Sequence, residues 1–176
     1  LYVHVPFCPS RCLSCDHLTI IEHDRKEINH YLEVLARELS TLATNTPKGR
    51  LRKLFIGGGS PNYLADDQLA QLMTSINDSF TLHNDADVVM EINPRRTSRS
   101  QLDLLKGLGI NHLNLEVRDV DTRVQGELGR TQSLELLEDV FSVARDLNFH
   151  SVNMDLLFGL PGQTSTCLLY TSPSPR

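Results

Sequence analysis

The stretch Leu1-Tyr2-Val3-His4-Val5-Pro6-Phe7-Cys8-Pro9-Ser10-Arg11-Cys12-Leu13-Ser14-Cys15 decides how the rest of the chain is interpreted. Its first five residues have the apolar character of a strand, and three cysteines follow in one short loop at C-x3-C-x2-C spacing. The thiolates of Cys8, Cys12 and Cys15 can bind a [4Fe–4S] cluster and leave its fourth iron without a protein ligand. Structural iron–sulfur and zinc sites usually have four protein ligands, so this loop indicates a metal centre that binds a small molecule.

Other uses of the cysteines have to be weighed against the cluster. Zinc bound by the three thiolates, with His17 as fourth ligand, is one alternative. A disulfide is disfavoured because three is an odd number and no signal peptide precedes the loop. Thiols in a chain without an export signal favour a reducing cytosol, so we expect a cytoplasmic protein.

Composition and charge exclude several classes of protein. The 176 residues suffice for one well-packed domain, and 40% hydrophobic with 22% charged residues is typical of a globular protein. The net charge of −5, without a basic stripe, argues against nucleic acid as a partner. No apolar run approaches the roughly 18 residues that cross a bilayer, which argues against insertion into a membrane.

The two ends of the chain look unlike the ends of a domain. Leu1 already lies inside a predicted strand, so we expect the domain to be incomplete there. The last ten residues, from Cys167 to Arg176, lack periodicity and resemble the in-frame translation of a transposase-type sequencing adapter, with a natural Ser/Pro-rich tail as the alternative. We therefore divide the chain into a core, residues 1–164, and a non-native tail, residues 165–176.

Strand and helix patterns alternate along the core, which predicts an α/β fold with a parallel sheet. The predicted strands are residues 1–5, 51–56, 87–93, 112–117 and 150–155. Between them, helices are predicted from Asp24, with capping-box spacing to Glu27, then over residues 69–80, after Ser98, and over residues 134–147 behind a short helical stretch. Such βα units close into a barrel or open into a doubly wound sheet.

Polar residues alternate with apolar ones along four of these strands, and alternate residues share one face of a strand. The polar sets are Tyr2 and His4; Glu91 and Asn93; Asn114 and Glu116, with Arg118 just beyond; and Asn153 and Asp155. They gather toward the carboxyl ends of the strands, where parallel barrels and sheets bind ligands. This pattern favours a concave, barrel-like sheet with a polar interior, and salt-bridged polar residues in an ordinary core are the alternative.

Several polar groups and one loop are candidates for binding a ligand. The loop Gly57-Gly58-Gly59-Ser60-Pro61 has neither the Lys-Ser/Thr ending of a phosphate loop nor dinucleotide spacing, so a tight turn and a ligand loop both remain open. Glu91 and Asp155 can accept hydrogen bonds from an amine or a ribose hydroxyl, and Arg130 can pair with a carboxylate. These groups match the polar parts of S-adenosylmethionine (SAM).

Taken together, these motifs resemble those of a known family, oxygen-independent coproporphyrinogen III oxidase and its relatives in the radical SAM superfamily. The resemblance is carried, in order, by residues 2–8, 57–64, 91–95, 153–156 and 159–164, and it covers essentially residues 1–164. It implies a six-unit (βα)6 TIM-like barrel, present here only to about the fifth strand, with a [4Fe–4S] cluster and SAM as cofactors. The cluster would be bound by Cys8, Cys12 and Cys15, and SAM would lie against Tyr2, the backbone near Ser14, Gly58, Gly59, Ser60, Glu91, Arg130 and Asp155.

The resemblance also implies a reaction and its partners. In the family, the cluster passes one electron to SAM, and the resulting 5′-deoxyadenosyl radical abstracts hydrogen from a propionate of coproporphyrinogen III. Loss of carbon dioxide leaves a vinyl group, and two such conversions give protoporphyrinogen IX. The implied partners are a tetrapyrrole substrate and an electron donor such as flavodoxin or ferredoxin, and we expect a monomer. A haem-trafficking relative and a radical SAM enzyme that acts on haem or another tetrapyrrole are the alternatives.

Four residues depart from the family pattern. Ser14 replaces a usual aromatic residue, and His17 stands where the oxidase often has a further cysteine. The family's Gly-Val-Gln-Asp is Glu116-Val117-Arg118-Asp119 here, so Arg118 takes the position of a glutamine that would touch SAM. Either Glu116 and Arg118 form an ion pair that preserves the fold, or the ligand site is altered. With its fifth strand as an unpaired edge, we expect the chain alone to be inactive and poorly soluble.

Overall fold

A computed structural model describes residues 1–13, 15, 17–46 and 49–166, so the prediction for Ser14 and most of the predicted tail lie outside the described residues. The elements in chain order are β1 (Tyr2–Val5), β2 (Phe7–Cys8), β3 (Ile20–Ile21), α1 (Arg25–Asn45), β4 (Arg50–Gly58), α2 (Asp66–Ser79), β5 (Thr81–Ile92), α3 (Arg99–Gly107), β6 (His112–Arg118), α4 (Thr122–Glu127), α5 (Leu134–Asp146) and β7 (Ser151–Leu156). Short 3₁₀ helices at Pro61–Tyr63 and Pro94–Arg96 follow β4 and β5.

The main sheet has five parallel strands in the order β1-β4-β5-β6-β7. Each strand pairs with the next strand of this sheet along the chain, and the order never reverses. A doubly wound sheet reverses its order at a switch point, whereas a barrel keeps one direction around the sheet. The α/β prediction is therefore confirmed, and the strand order is that of a barrel.

The helices form where the sequence places caps and apolar repeats. The side chain of Ser98 accepts a hydrogen bond from the backbone N–H of Gln101, which is the predicted start of α3. Asp24 caps α1, although it accepts from the N–H of Lys26 instead of that of Glu27. The four buried apolar residues of α1 are Ile28, Leu32, Leu35 and Leu39. Leu42 continues the same apolar spacing, but it is 45% exposed because it lies near the end of the helix.

One face of the sheet packs into the core. Its fully or almost fully buried members include Val3, Val5, Leu54, Ile56, Met90, Ile92, Leu113 and Leu115. Burying one such side chain stabilises the fold by about 1.5–3 kcal/mol before entropy is counted. The expectation that the apolar residues of a strand pack into the core is wrong for β7, where Met154 is 44% exposed. In the described part of the chain β7 has a strand neighbour on one side only, as predicted for an edge strand.

A second, two-stranded sheet closes the cysteine loop. In it β2 pairs in parallel with β3, with Phe7 opposite Ile20 and Cys8 opposite Ile21. The N–H of Ile20 also donates to the carbonyl of Pro6 at 2.8 Å. The loop between β2 and β3 therefore begins and ends at the same small sheet. None of the helices in the described ranges combines the length and the hydropathy needed to cross a bilayer.

Candidate functional site

A cleft at the carboxyl edge of the main sheet brings the three cysteines together with charged side chains. It encloses about 480 Å³, part of which is open to solvent. Its lining is Cys8, Pro9, Ser10, Cys12, Cys15, His17, Thr19, Gly58, Gly59, Ser60, Asn93, Arg95, Glu116, Arg118 and Arg130. All three cysteines are free thiols of intermediate exposure. The structure thus joins the predicted cluster ligands and most of the predicted SAM-binding loop in one place.

The cysteine loop is fixed at its tip as well as at its base. The N–H of Leu13 donates to the carbonyl of Leu128 at 3.3 Å, so the tip is attached to the segment that follows α4. The N–H of Cys15 donates to the carbonyl of Cys12 at 3.2 Å, which forms a tight turn between two of the thiols. The first of these hydrogen bonds attaches the described part of the loop to the body of the protein, and the second lies within the loop.

His4 supports the same loop from β1. Its Nε2 lies 2.9 Å from the carbonyl oxygen of Leu18, and its Nδ1 lies 3.0 Å from the hydroxyl of Tyr2. The two contacts use both ring nitrogens, one as donor and the other as acceptor. His4 thereby connects the polar face of the main sheet to the returning arm of the loop.

The Cys8 thiol lies deepest against the neighbouring loop. It donates to the hydroxyl of Ser60 across 3.8 Å. Burial raises the pKa of Cys8, while the Ser60 hydroxyl lowers it and the Glu116 carboxylate raises it. Within the described ranges, no three His, Cys, Asp or Glu side chains are close enough to share one metal ion. A zinc site that includes His17 is therefore not preformed, whereas a [4Fe–4S] cluster offers each thiolate its own iron and needs wider spacing.

The loop after β4 requires glycine for steric reasons. Gly58 has φ +117°, and a Cβ there would lie 2.7 Å from the His4 ring. A Cβ on Gly59 would lie 2.7 Å from the carbonyl oxygens of both Pro6 and Phe7. These glycines therefore fit against the start of the cysteine loop, while their other side lines the cleft.

Glu91 lies beside this loop, on the polar face of β5. Its Oε2 accepts the backbone N–H of Gly58 at 2.9 Å, and a Cβ on Gly57 would be only 2.5 Å from the same oxygen. Burial raises the pKa of Glu91, the Gly58 N–H lowers it, and the Glu116 and Asp155 carboxylates raise it further. The predicted ligand acceptor is thus already bonded to the chain's own backbone.

Glu116 is the centre of a buried ion-pair network. Its Oε2 is 3.1 Å from Nη2 of Arg130, and its Oε1 is 3.2 Å from Nη2 of Arg118. Arg130 also donates to the Glu116 carbonyl at 3.0 Å, and its Nε is buried without a partner among the described residues. The ion pair between Glu116 and Arg118, one of the two readings of the sequence, is therefore present.

Arg95 lines the cleft but was not among the predicted site residues. It follows β5 directly, within the 3₁₀ helix Pro94–Arg96. Burial and the nearby Arg130 guanidinium lower the pKa of Arg95, whereas Cys12 and Glu116 raise it. Its position just past the carboxyl end of a strand was the signal that could have identified it. With Arg95 included, the described lining residues of the cleft carry three guanidinium groups and one carboxylate.

Three predicted SAM contacts do not line this cleft. Tyr2 is 55% exposed and stacks on Phe55 at a centroid distance of 5.9 Å. Asp155 is half-buried on β7, opposite Glu116 in the strand register. Glu91 and Asp155 still influence each other electrostatically, so they share the polar face next to the cleft.

Comparisons with known proteins agree with this geometry. The sequence model of the radical SAM superfamily matches residues 2–169. The chain is 34% identical over 171 residues to the oxygen-independent coproporphyrinogen III oxidase of Salmonella typhimurium, covering 97% of this chain and 37% of that protein. It is 33% identical over 164 residues to the heme chaperone HemW of Bacillus subtilis, covering 93% of this chain and 43% of that protein.

Among solved structures, the chain is similar to coproporphyrinogen III oxidase (HemN) from Escherichia coli, which is described as a radical SAM enzyme. The TM-score is 0.90 at 32% sequence identity, and the match covers 98% of this chain and 40% of that one. The chain therefore spans well under half the length of these relatives.

Proposed function

This chain belongs to the radical SAM superfamily, and from that premise we propose that it is the SAM-cleaving core of an oxygen-independent coproporphyrinogen III oxidase. The reaction converts two propionates of coproporphyrinogen III to vinyl groups and gives protoporphyrinogen IX. Each conversion removes carbon dioxide, one proton and two electrons from the propionate side chain. The observation that carries the proposal is the meeting of three thiols and three guanidinium groups in one cleft.

The residues of the cleft fit both cofactors. Cys8, Cys12 and Cys15 are soft sulfur donors, which select iron–sulfur clusters, and no fourth cysteine stands among the described residues. The surrounding guanidinium groups offset the negative charge of thiolates and of a ligand carboxylate, and Arg130 has a buried Nε with no partner in the described chain. When bound, the cluster and SAM supply one-electron reductive chemistry that no protein side chain here provides.

The chain's own contribution is positioning and shielding. The cysteine loop is held at its base by β2 and β3 and at its tip by the Leu13–Leu128 hydrogen bond. Gly58, Gly59 and Ser60 form a wall of the cleft close to Cys8, where they would border the amino-acid part of SAM. The proposed contacts of Tyr2, Glu91 and Asp155 with SAM stay predictions, and so does the contact of the backbone near Ser14, which lies outside the described residues. All of these groups would orient SAM and keep water from the reacting carbon.

Anoxic reconstitution, with iron and sulfide, of a full-length protein that contains residues 1–164 tests the proposal, because this chain spans only 37% of the length of the Salmonella typhimurium relative. We expect a brown protein with iron and sulfide in the ratio of a [4Fe–4S] cluster, which cleaves SAM and releases carbon dioxide from coproporphyrinogen III. The Cys12→Ala variant should lose the colour and SAM cleavage, whereas Arg25→Gln, on an exposed ion pair outside the cleft lining, should keep both. A colourless protein that binds zinc and no iron would contradict the assignment.

A heme chaperone is the second candidate function. It is favoured by the similarity to HemW and by Ser14 and Arg118, which depart from the oxidase pattern. Such a protein would keep the cluster but bind haem tightly without converting porphyrinogen. Haem titration and product analysis by mass spectrometry on the same preparation separate the two functions.

The partners and the compartment are part of the same proposal. A one-electron donor such as flavodoxin or ferredoxin would reduce the cluster, and the protein would act as a monomer on its tetrapyrrole substrate. Free thiols that bind iron require a reducing environment, so we place the protein in the cytoplasm.

A further inference from the structure

Arg130 already holds a carboxylate that belongs to the protein itself. Its Nη2 is 3.1 Å from Oε2 of Glu116, and the side chains are only 5% and 6% exposed. Because both groups are shielded from water, their attraction is stronger than that of a surface pair. An incoming anionic ligand therefore meets Arg130 in competition with Glu116.

Arg118 offers Glu116 a second attachment. It contacts the other oxygen, Oε1, at 3.2 Å, and its side chain is 19% exposed. The backbone of Arg118 has φ +71°, unusual for a residue other than glycine, and its carbonyl accepts the N–H of Leu157 at 2.8 Å. The turn at this residue keeps the Arg118 guanidinium folded back on the carboxylate two positions earlier.

The three arginines of the cleft offer donors for a second carboxylate besides Glu116. Arg95, Arg118 and Arg130 line the cleft with Glu116 as the sole carboxylate among its described lining residues. Arg118 can keep its contact with Glu116 while a ligand carboxylate takes the place of Glu116 at Arg130. The unpartnered Nε of Arg130 would gain an acceptor if a ligand carboxylate bound the guanidinium in a bidentate way.

We propose that Glu116 is an internal counter-ion that is exchanged for the carboxylate of the bound ligand. In this exchange Arg130 releases the Glu116 carboxylate and binds the ligand carboxylate, while the contact between Arg118 and Glu116 is kept. The inference rests on the proposed function, in which the ligand carboxylate is that of SAM. Glu116 then lowers the affinity for carboxylate ligands, and Arg118 limits that loss. Both residues act as determinants of ligand specificity through Arg130.

The test measures binding of two ligands to the reconstituted protein by calorimetry. SAM carries the carboxylate, and 5′-methylthioadenosine shares the nucleoside but lacks the amino-acid part. We expect Glu116→Gln to tighten SAM binding about tenfold and Arg118→Met to weaken it about tenfold, with little change for methylthioadenosine. In the double variant Arg118→Met should no longer weaken binding, because no Glu116 carboxylate is left to compete.

Each variant is also checked for thermal unfolding and iron content, since Glu116 is buried. If Glu116→Gln does not fold, Arg118→Met alone still decides: unchanged SAM affinity in that variant overturns the exchange. Equal changes for both ligands, or additive effects of the two substitutions, overturn it as well. Failure of the unaltered protein to bind SAM at all would overturn the proposed function together with the exchange. SAM binding that does not depend on Glu116 or Arg118 overturns the exchange alone.

Discussion

Two glutamates on adjacent strands of one sheet face are held inside the protein in different ways. Glu91 on β5 accepts a backbone N–H from Gly58 at 2.9 Å, and burial raises its pKa. Glu116 on β6 is 5% exposed and contacts the guanidinium groups of Arg118 and Arg130. The position of the Glu91 carboxylate depends on its close fit to the backbone of β4, whereas the position of the Glu116 carboxylate depends on its ion pairs.

The alternation of polar and apolar residues in a strand therefore shows which face a polar residue lies on, but not what surrounds it there. Gly57 and Gly58 come from β4, and Arg130 comes from the segment after α4. Neither neighbour is visible in the local pattern of β5 or β6. The environment of an acidic residue on the polar face can therefore be described only when the elements packed against it are known.

The largest effect should come from removing the charge of Glu116. Glu116→Gln leaves two buried guanidinium groups without a carboxylate, and we expect the free energy of unfolding to fall by about 3–5 kcal/mol. Urea unfolding at neutral pH measures the midpoint and the slope. An unfolding free energy equal to that of the unaltered protein would mean that Glu116 is no more dependent on charge than Glu91.

The next effect tests the steric fit around Glu91. In Gly57→Ala the new methyl group would lie 2.5 Å from Oε2 of Glu91 and 2.7 Å from the Phe55 ring. We expect a loss of about 1–3 kcal/mol in unfolding free energy, because crowding at a packed position forces neighbours to shift. Shortening the neighbour in the double variant Gly57→Ala with Glu91→Ala should recover part of it. Additive losses in that double-mutant cycle would show that the contact is not the cause.

A smaller effect follows from the pKa of Glu91, which burial raises above that of an ordinary carboxyl group. The folded protein binds this proton more tightly than the unfolded chain does, so stability from Glu91 is full at acidic pH and is lost as pH rises through the folded pKa. In Glu91→Gln we expect that loss to disappear, which makes the variant relatively more stable toward neutral pH. Urea midpoints compared between about pH 4 and pH 7 measure this difference. A relative stability that instead falls with rising pH would show that the Glu91 carboxylate is stabilised in the folded state.

The smallest effect is expected at an exposed ion pair, which serves as the control for the buried ion pair of Glu116. Arg25 and Asp67 form a contact on the surface, with side chains 57% and 67% exposed, and the hydrogen bond from Arg25 lowers the pKa of Asp67. We expect Arg25→Gln to leave the urea midpoint unchanged within error, because exposed pairs are screened by water and salt. A loss comparable with that of Glu116→Gln would remove the contrast between buried and exposed charge on which the comparison depends.

Local patterns in the sequence predicted most of the longer helices and strands and much of the core. Ser98 caps α3 as predicted because an N-cap is formed by residues three positions apart. The apolar residues of β1 and β5 are buried as predicted, since period-two alternation next to a covered face leaves one arrangement. The cysteine spacing placed all three thiols in the cleft because they lie on one short loop.

Contacts between distant parts of the chain were not predictable in the same way. The left-handed backbone of Arg118 depends on how β6 joins the next segment, and no glycine marks that position. Arg95 enters the cleft because of the 3₁₀ helix after β5, which the strand pattern does not contain. The requirement for Gly59 comes from carbonyl oxygens of Pro6 and Phe7, some fifty positions away in the chain.

The pairing of β2 with β3 makes the cysteine loop a nearly closed ring. Backbone hydrogen bonds hold the two ends of this ring together, so the conformational entropy of closing it is part of the cost of folding. In zinc fingers, by contrast, metal uptake and folding are one event. The span of the cysteine loop is therefore set by the strands at its base as well as by the thiols that it carries.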